Sequence, residues 1–243
     1  MGLRILLAGA TGAIGKRLTP LLLEAGHTVV GTTRSAAKAE NLRRQGVEPV
    51  VVDVFDADAL SRAVVSARPE IVIHQLTDLP AGIEPSRMAE AIVGNARIRD
   101  EGTRNLVRAA LAAGSRRLIA QSIAWAYAAG PRPYTEDAPL DDHAEGGRAT
   151  TVNGVIALEN WILGPSPIEG VVLRYGRLYG PGTGIGMPPA SLPLHVDAAA
   201  YAALLAVDHG TPGIFNIVQP NDEVATEKAV AELGWNADFR NPA

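Results

Sequence analysis

The chain has 243 residues, and at roughly 150 residues per domain that length predicts one full domain plus a smaller lobe. With 47% hydrophobic and 20% charged residues it suits a packed core, and a net charge of −4 leaves no basic excess for nucleic acid or an anionic membrane surface. Cysteine is absent, which removes disulfides, zinc-thiolate and iron–sulfur sites and cysteine nucleophiles, and no metal is expected.

Met1-Gly2-Leu3-Arg4 runs straight into an apolar stretch, with no signal-peptide layout. No run of about 18 uninterrupted apolar residues occurs. A cytoplasmic chain with no membrane partner is therefore expected. Arg4 to Ala8 reads as a buried strand. Gly15 to Ala25 reads as a helix with Ile14, Leu18, Leu21 and Leu22 on one face, stopped by Gly26. His27 to Thr33 is a second strand, rich in Val and Thr. Ala36 to Gln45 is a helix ended by Gly46, and Glu48 to Val52 a third strand. Asp56 to Ala67 is a helix with an acid near its start, where the macrodipole favours one. Glu70 to Gln75 is a fourth strand, followed by a long helix within Met88 to Ala113 that Gly114 closes. Arg117 to Gln121, Val171 to Arg174 and Ile214 to Val218 complete the strands.

This alternation predicts an α/β fold, a Rossmann-like doubly wound parallel sheet with helices on both faces. Residues 1–180 form the expected dinucleotide-binding domain, with some later segments returning to it. Residues 181–243 are read as a small C-terminal substrate lobe.

Gly9-Ala10-Thr11-Gly12-Ala13-Ile14-Gly15 lies between the first strand and the first helix. A Gly-x-x-Gly-x-x-Gly turn is weak evidence alone and strong in that setting. Gly9 permits the tight turn, Gly12 leaves room for a pyrophosphate on the helix N-terminus, and Gly15 allows close helix–strand packing. The end of the second strand selects the cofactor. A carboxylate there binds ribose hydroxyls, but this chain has Thr33-Arg34-Ser35, with Lys38 beyond. Arg34 and Ser35 suit a 2′-phosphate and favour NADP over NAD, the alternative being a solvated loop arginine. Asp53-Val54, after the third strand, suits an adenine edge, or else Asp53 is a charge near a helix start.

With these residues the chain resembles the extended short-chain dehydrogenase/reductase family, the epimerase/dehydratase group. The resemblance continues through Glu101-Gly102-Thr103-Arg104-Asn105-Leu106, Gln121-Ser122-Ile123-Ala124-Trp125-Ala126-Tyr127, Leu173 to Gly182, His195-Val196-Asp197 and Glu232-Leu233-Gly234-Trp235. It implies NADP or NAD as cofactor, held by the glycine turn with Thr11, Ala13 and Ile14, by Arg34, Ser35, Asp53 and Val54, and by Leu76 and Gln121. It also implies a small-molecule substrate and a homodimer through the long helices after the fourth and fifth strands.

The family works with a Ser or Thr after the fifth strand and a Tyr-x-x-x-Lys on the next helix. That helix here reads Thr151-Val152-Asn153-Gly154-Val155-Ile156-Ala157-Leu158-Glu159. Setting Glu159 on the acid usual four places after the Lys puts Val155 at the Lys and Thr151 at the Tyr. Spacings of four keep the three on one helix face. No lysine occurs between Lys38 and Lys228, so no shift restores the pair. Threonine is too weak an acid to replace a phenol near neutral pH.

Ser122, Tyr175 and Thr151 are the candidate catalytic residues, Tyr175 against a packing role. Tyr127 and His74 read as structural, and His143 as a solvated loop residue. Arg97 and Glu101 are spaced to pair. Arg99 takes a place where the family often has Asn and suits an anion if it points into the cleft. Arg174, if buried, needs a partner, and Glu159 is one. Only Thr183 to Leu194 separate Gly-Pro-Gly from His-Val-Asp, which leaves little room for a nucleotide sugar. Asp197 is expected to cap a helix. The leading reading is a family oxidoreductase with a non-standard site. Its rivals are an inactive dinucleotide sensor and a pocket working without cofactor.

Overall fold

The computed structural model describes residues 2–79, 85–164 and 166–241. Its strands are β1 (Arg4–Ala8), β2 (Thr28–Thr33), β3 (Glu48–Val51), β4 (Ile71–His74), β5 (Arg117–Ile123), β6 (Glu169–Tyr175), β7 (Arg177–Tyr179), β8 (Pro193–His195) and β9 (Gly213–Ile217). Its α-helices are α1 (Ala13–Glu24), α2 (Ala36–Arg44), α3 (Ala57–Ala67), α4 (Met88–Arg97), α5 (Thr103–Ala112), α6 (Gly146–Leu163) and α7 (Val196–Leu205). Seven strands form one parallel sheet in the order β3-β2-β1-β4-β5-β6-β9. The doubly wound α/β fold read from the alternation is the one observed.

Parallel strands buried on both faces need apolar side chains on both. In β1, Ile5 and Leu7 enter the core beneath α1 and α7, while Leu6 and Ala8 enter the core beneath α3, α5 and α6. β4, β5 and β6 divide their residues the same way. Most boundaries fall within two residues of expectation. Asp56 sits one place before α3 and caps it, its carboxylate accepting from the Ala59 amide at 3.0 Å. The long helix is α4 and α5 joined by a π-helical turn, Ile98–Gly102.

One expectation is corrected. Asp197 is not the cap of α7: His195 is, its ring accepting from the Asp197 amide. Asp197 lies in the first turn, where its buried carboxylate takes the Arg17 guanidinium at 2.5 Å and ties α7 to α1. α7 shares its core with α1, and β9 is the seventh strand of the main sheet. Outside the main sheet, residues 181–243 contribute the loop to β8 and β8 itself, which pairs with β7 in a two-stranded ribbon, and a π-helical turn at Ala229–Leu233 packs into the α7 core. No described helix is long and apolar enough to cross a membrane.

Candidate active site

A cleft of about 300 Å³ opens along the carboxyl ends of β1, β2, β3 and β4. This is where open parallel sheets present ligand sites. Gly9, Thr11, Gly12, Arg34, Ser35, Asp53, Val54 and Leu76 line it, which unites eight of the twelve residues expected to hold a cofactor. Ala13, Ile14 and Gly15 form the first turn of α1 beside it. Gln121 lies on β5 and is not among the lining residues.

The geometry of the turn fits a dinucleotide. Gly9 has φ +93°, and a Cβ there would stand 2.6 Å from the Gln75 carbonyl oxygen. A Cβ on Gly15 would collide with the Gly9 carbonyl, so α1 starts this close to β1 only with glycine. Gly12 begins α1, no side chain caps it and no acid stands in the first turn. The helix N-terminus is thus open to an anion. Gln75 adds an unexpected feature. It is buried, its Oε1 has no partner among the described residues, and it lines the cleft. A ligand donor would satisfy that oxygen. A glutamine ending the apolar run Ile71-Val72-Ile73-His74 is the signal that could have found it.

At the far end Arg34 is exposed and only loosely paired, its Nη2 4.0 Å from Asp78 Oδ1. The Ser35 hydroxyl accepts from the Lys38 amide as the cap of α2, and Lys38 also lines the cleft. Asp53 orders its own loop by accepting from the Phe55 amide at 3.0 Å. The Arg97–Glu101 pair forms at 2.7 Å as the spacing predicts, and its guanidinium stacks 3.8 Å over the Phe55 ring. Phe55, missed in the sequence reading, joins Asp53 and Val54 in the cleft wall.

The three catalytic candidates are not brought together. β5 runs two residues further than expected, so Ser122 lies inside a strand and points at α6. There its buried hydroxyl donates to Glu159 at 2.8 Å. Tyr175 ends β6 in the core shared with α1 and α7, and its hydroxyl donates to the Ala199 carbonyl. Burial pushes that phenol well above its ordinary value. The Thr151 hydroxyl is spent on its own helix, donating to the Gly147 carbonyl at 3.0 Å.

Behind them stands a closed polar network. Arg174 binds Glu159 through Nε at 2.9 Å and Nη2 at 2.6 Å, both residues being buried. Its Nη1 donates to the Tyr127 hydroxyl, which donates to Asn216 Oδ1 at 2.6 Å. The pairing sets the register of α6, with Thr151 and Val155 on the turns before Glu159. Val155 is fully buried among Ile123, Ala126 and Val152. His74 is sealed in: its Nδ1 accepts from the Leu76 amide and its Nε2 meets Thr103 Oγ1 at 3.0 Å. Since the Thr103 hydroxyl donates to the Ile98 carbonyl, these partners assign the neutral Nε2–H tautomer. Burial first, then the Arg99 charge, pushes the imidazole down to about 4. His143 is exposed.

Sheet order, glycine turn and cleft define a dinucleotide-binding α/β protein. The chain belongs to the NAD(P)H-binding family, which it matches over residues 9–150. It is 43% identical over 244 residues to a 3-diazoavenalumate denitrifying reductase from a Streptomyces species, covering 92% of this chain and 77% of that protein. A dTDP-4-dehydrorhamnose reductase of Streptomyces griseus is 31% identical over 182 residues, covering 74% of this chain and 51% of that one. Among solved structures, a dTDP-glucose 4,6-dehydratase double mutant of Streptomyces venezuelae superposes with TM-score 0.77 at 17% identity, covering 98% of this chain and 92% of that one. The UDP-glucose 4-epimerase of Thermotoga maritima gives TM-score 0.76 at 19% identity, with coverages of 97% and 94%. The epimerase/dehydratase resemblance therefore holds for the fold.

Proposed function

We propose that this protein is an NADP-dependent reductase whose substrate accepts hydride without needing a proton from the enzyme, and that an aryl diazo compound is the substrate class. The observation that carries the reading is the contrast within one site. The cleft keeps the glycine cradle and the basic pair Arg34 and Lys38, while α6 offers no phenol and no ammonium. When bound, NADPH supplies a hydride, and the net change on an arenediazonium balances without a proton: the C–N bond breaks, dinitrogen leaves, a C–H bond forms and the nicotinamide is oxidised.

The chain's residues then have simpler tasks. The α1 N-terminus holds the pyrophosphate, Arg34 with Ser35 and Lys38 holds the 2′-phosphate, and Asp53 with Val54 holds the adenine. Val155 is packed against Ile123 and Ala126, so α6 presents no polar group at the position of the family's lysine. The short β7–β8 connection suits a substrate smaller than a nucleotide sugar, and the similar Streptomyces reductase carries a diazo compound in its name. The exposed Val93 and Trp161 on α4 and α6 support pairing of two chains through those helices, so light scattering should give a dimer mass, and a monomer would end that part of the reading.

The test follows NADPH oxidation and dinitrogen release together with a simple arenediazonium salt, against a protein-free control. Equal amounts of both, faster than the control, are expected. Oxidation with aldehydes or ketones but not with the diazonium would contradict the substrate class. NADPH binding without any turnover would make the protein a sensor.

A further inference from the structure

The turn between α4 and α5 carries a charge that the fold leaves unanswered. Arg99 is half-buried, its stem running over Gly154 of α6, where a Cβ would lie 3.5 Å from Arg99 Cδ. Its neighbour Ile98 lines the cofactor cleft. The acids around it are engaged elsewhere. Glu101 holds Arg97, and Asp100 accepts from the Trp161 indole at 3.0 Å. Glu159 has Oε2 on Arg174, and its Oε1 accepts from both Arg174 and Ser122. His74 is neutral, with both ring nitrogens occupied. Among the described residues the Arg99 guanidinium has no hydrogen-bond or ion-pair partner. None of its nitrogens is sealed from solvent. An unpaired guanidinium that is half-buried and still open to solvent can take an oxyanion with its fork. Burial lowers it to about 10, partly offset by the Glu159 charge.

We propose that Arg99 is the receptor for an oxyanion bound where the ends of β4 and β5 meet α6, so that the π-helical turn supplies the positive charge that α6 lacks. The proposal rests on the reductase reading for its two sources of that anion, the cofactor pyrophosphate and a carboxylate on the aromatic substrate. A π-helical turn suits the task because its extra residue redirects one side chain out of the helical series. Here the turn sends Ile98 to the cleft and Arg99 toward α6.

Calorimetric titrations of wild type, Arg99→Met and Arg99→Lys with NADP+ decide the first source. Titrations of the same proteins with benzoate and with benzamide, with and without NADP+, decide the second. One affinity should fall roughly tenfold or more in Arg99→Met and recover in part in Arg99→Lys, as for a lost charge-assisted fork. A fall in NADP+ affinity identifies the pyrophosphate. Loss of a wild-type preference for benzoate over benzamide identifies the carboxylate. If NADP+ does not bind wild type, the reductase reading fails, and the benzoate preference alone judges Arg99. Arg99→Gln is the second neutral variant should methionine disturb the packing. Unchanged NADP+ affinity together with no benzoate preference would overturn the proposal.

Discussion

The two halves of the site treat their polar groups in opposite ways. Along β1 to β4 the groups are left open: an uncapped helix start, a loosely paired Arg34 and a glutamine oxygen with no partner. Along β5, α6 and β6 they satisfy one another: Ser122 with Glu159, Glu159 with Arg174, Arg174 with Tyr127 and Tyr127 with Asn216. A ligand site needs unsatisfied groups facing a cavity, whereas a closed network stabilises the scaffold and offers a ligand nothing. The first half thus keeps open groups that suit a ligand, while the polar groups of the second half mostly satisfy one another.

The sharpest way to break this contrast is Glu159→Gln. It leaves Arg174 buried without its carboxylate, and unpairing a buried ion typically costs ~3–5 kcal/mol. Urea unfolding should show that loss, and a change below about 1 kcal/mol would mean the pair is not structural. His74 gives the next effect. Its native value of about 4 lies below the ordinary 6.5. Between those values the unfolded chain binds a proton that the native chain refuses. The stabilisation is therefore complete above pH 6.5 and lost as pH falls toward 4, by roughly 3 kcal/mol. Urea midpoints across that range should fall with acid, and His74→Gln should flatten the slope.

In the open half, Arg34→Ala should weaken NADPH binding by roughly tenfold or more while leaving NADH unchanged, because only a 2′-phosphate uses the guanidinium. Equal loss for both cofactors would assign Arg34 to general electrostatics. The smallest effect is expected of Tyr175→Phe. It removes two buried hydrogen bonds, one donated to the Ala199 carbonyl and one accepted from the Gln75 amide, each worth ~1 kcal/mol, and should leave turnover intact. A large fall in turnover without loss of stability would return Tyr175 to the chemistry.

The sequence made the open half legible because backbone demands are written in residue type. Only glycine fits at 9 and 15, and the strand–turn–helix context shows why. The Glu159–Arg174 pair was legible too, since a buried arginine requires an acid and the spacings of four place Glu159 on the inner face of α6. Side-chain direction on the strands was harder to read. Alternation says that Arg174 and Tyr175 face opposite sides of the sheet, but not which side holds the site. A two-residue error in the end of β5 likewise left Ser122 looking like a loop donor instead of a partner of α6. Arg99 depends on a π-helical turn that no helical periodicity predicts, and β9 and α7 depend on long-range return of the chain.

The proposed reaction transfers hydride at this site without an enzyme acid. A single turnover with NADPH deuterated at the transferable position, with an arenediazonium in ordinary water, tests it most directly. The arene should carry the cofactor's deuterium at the carbon that lost dinitrogen, with no hydrogen from solvent there. Solvent hydrogen at that carbon, or no arene beyond the protein-free control, would contradict the account.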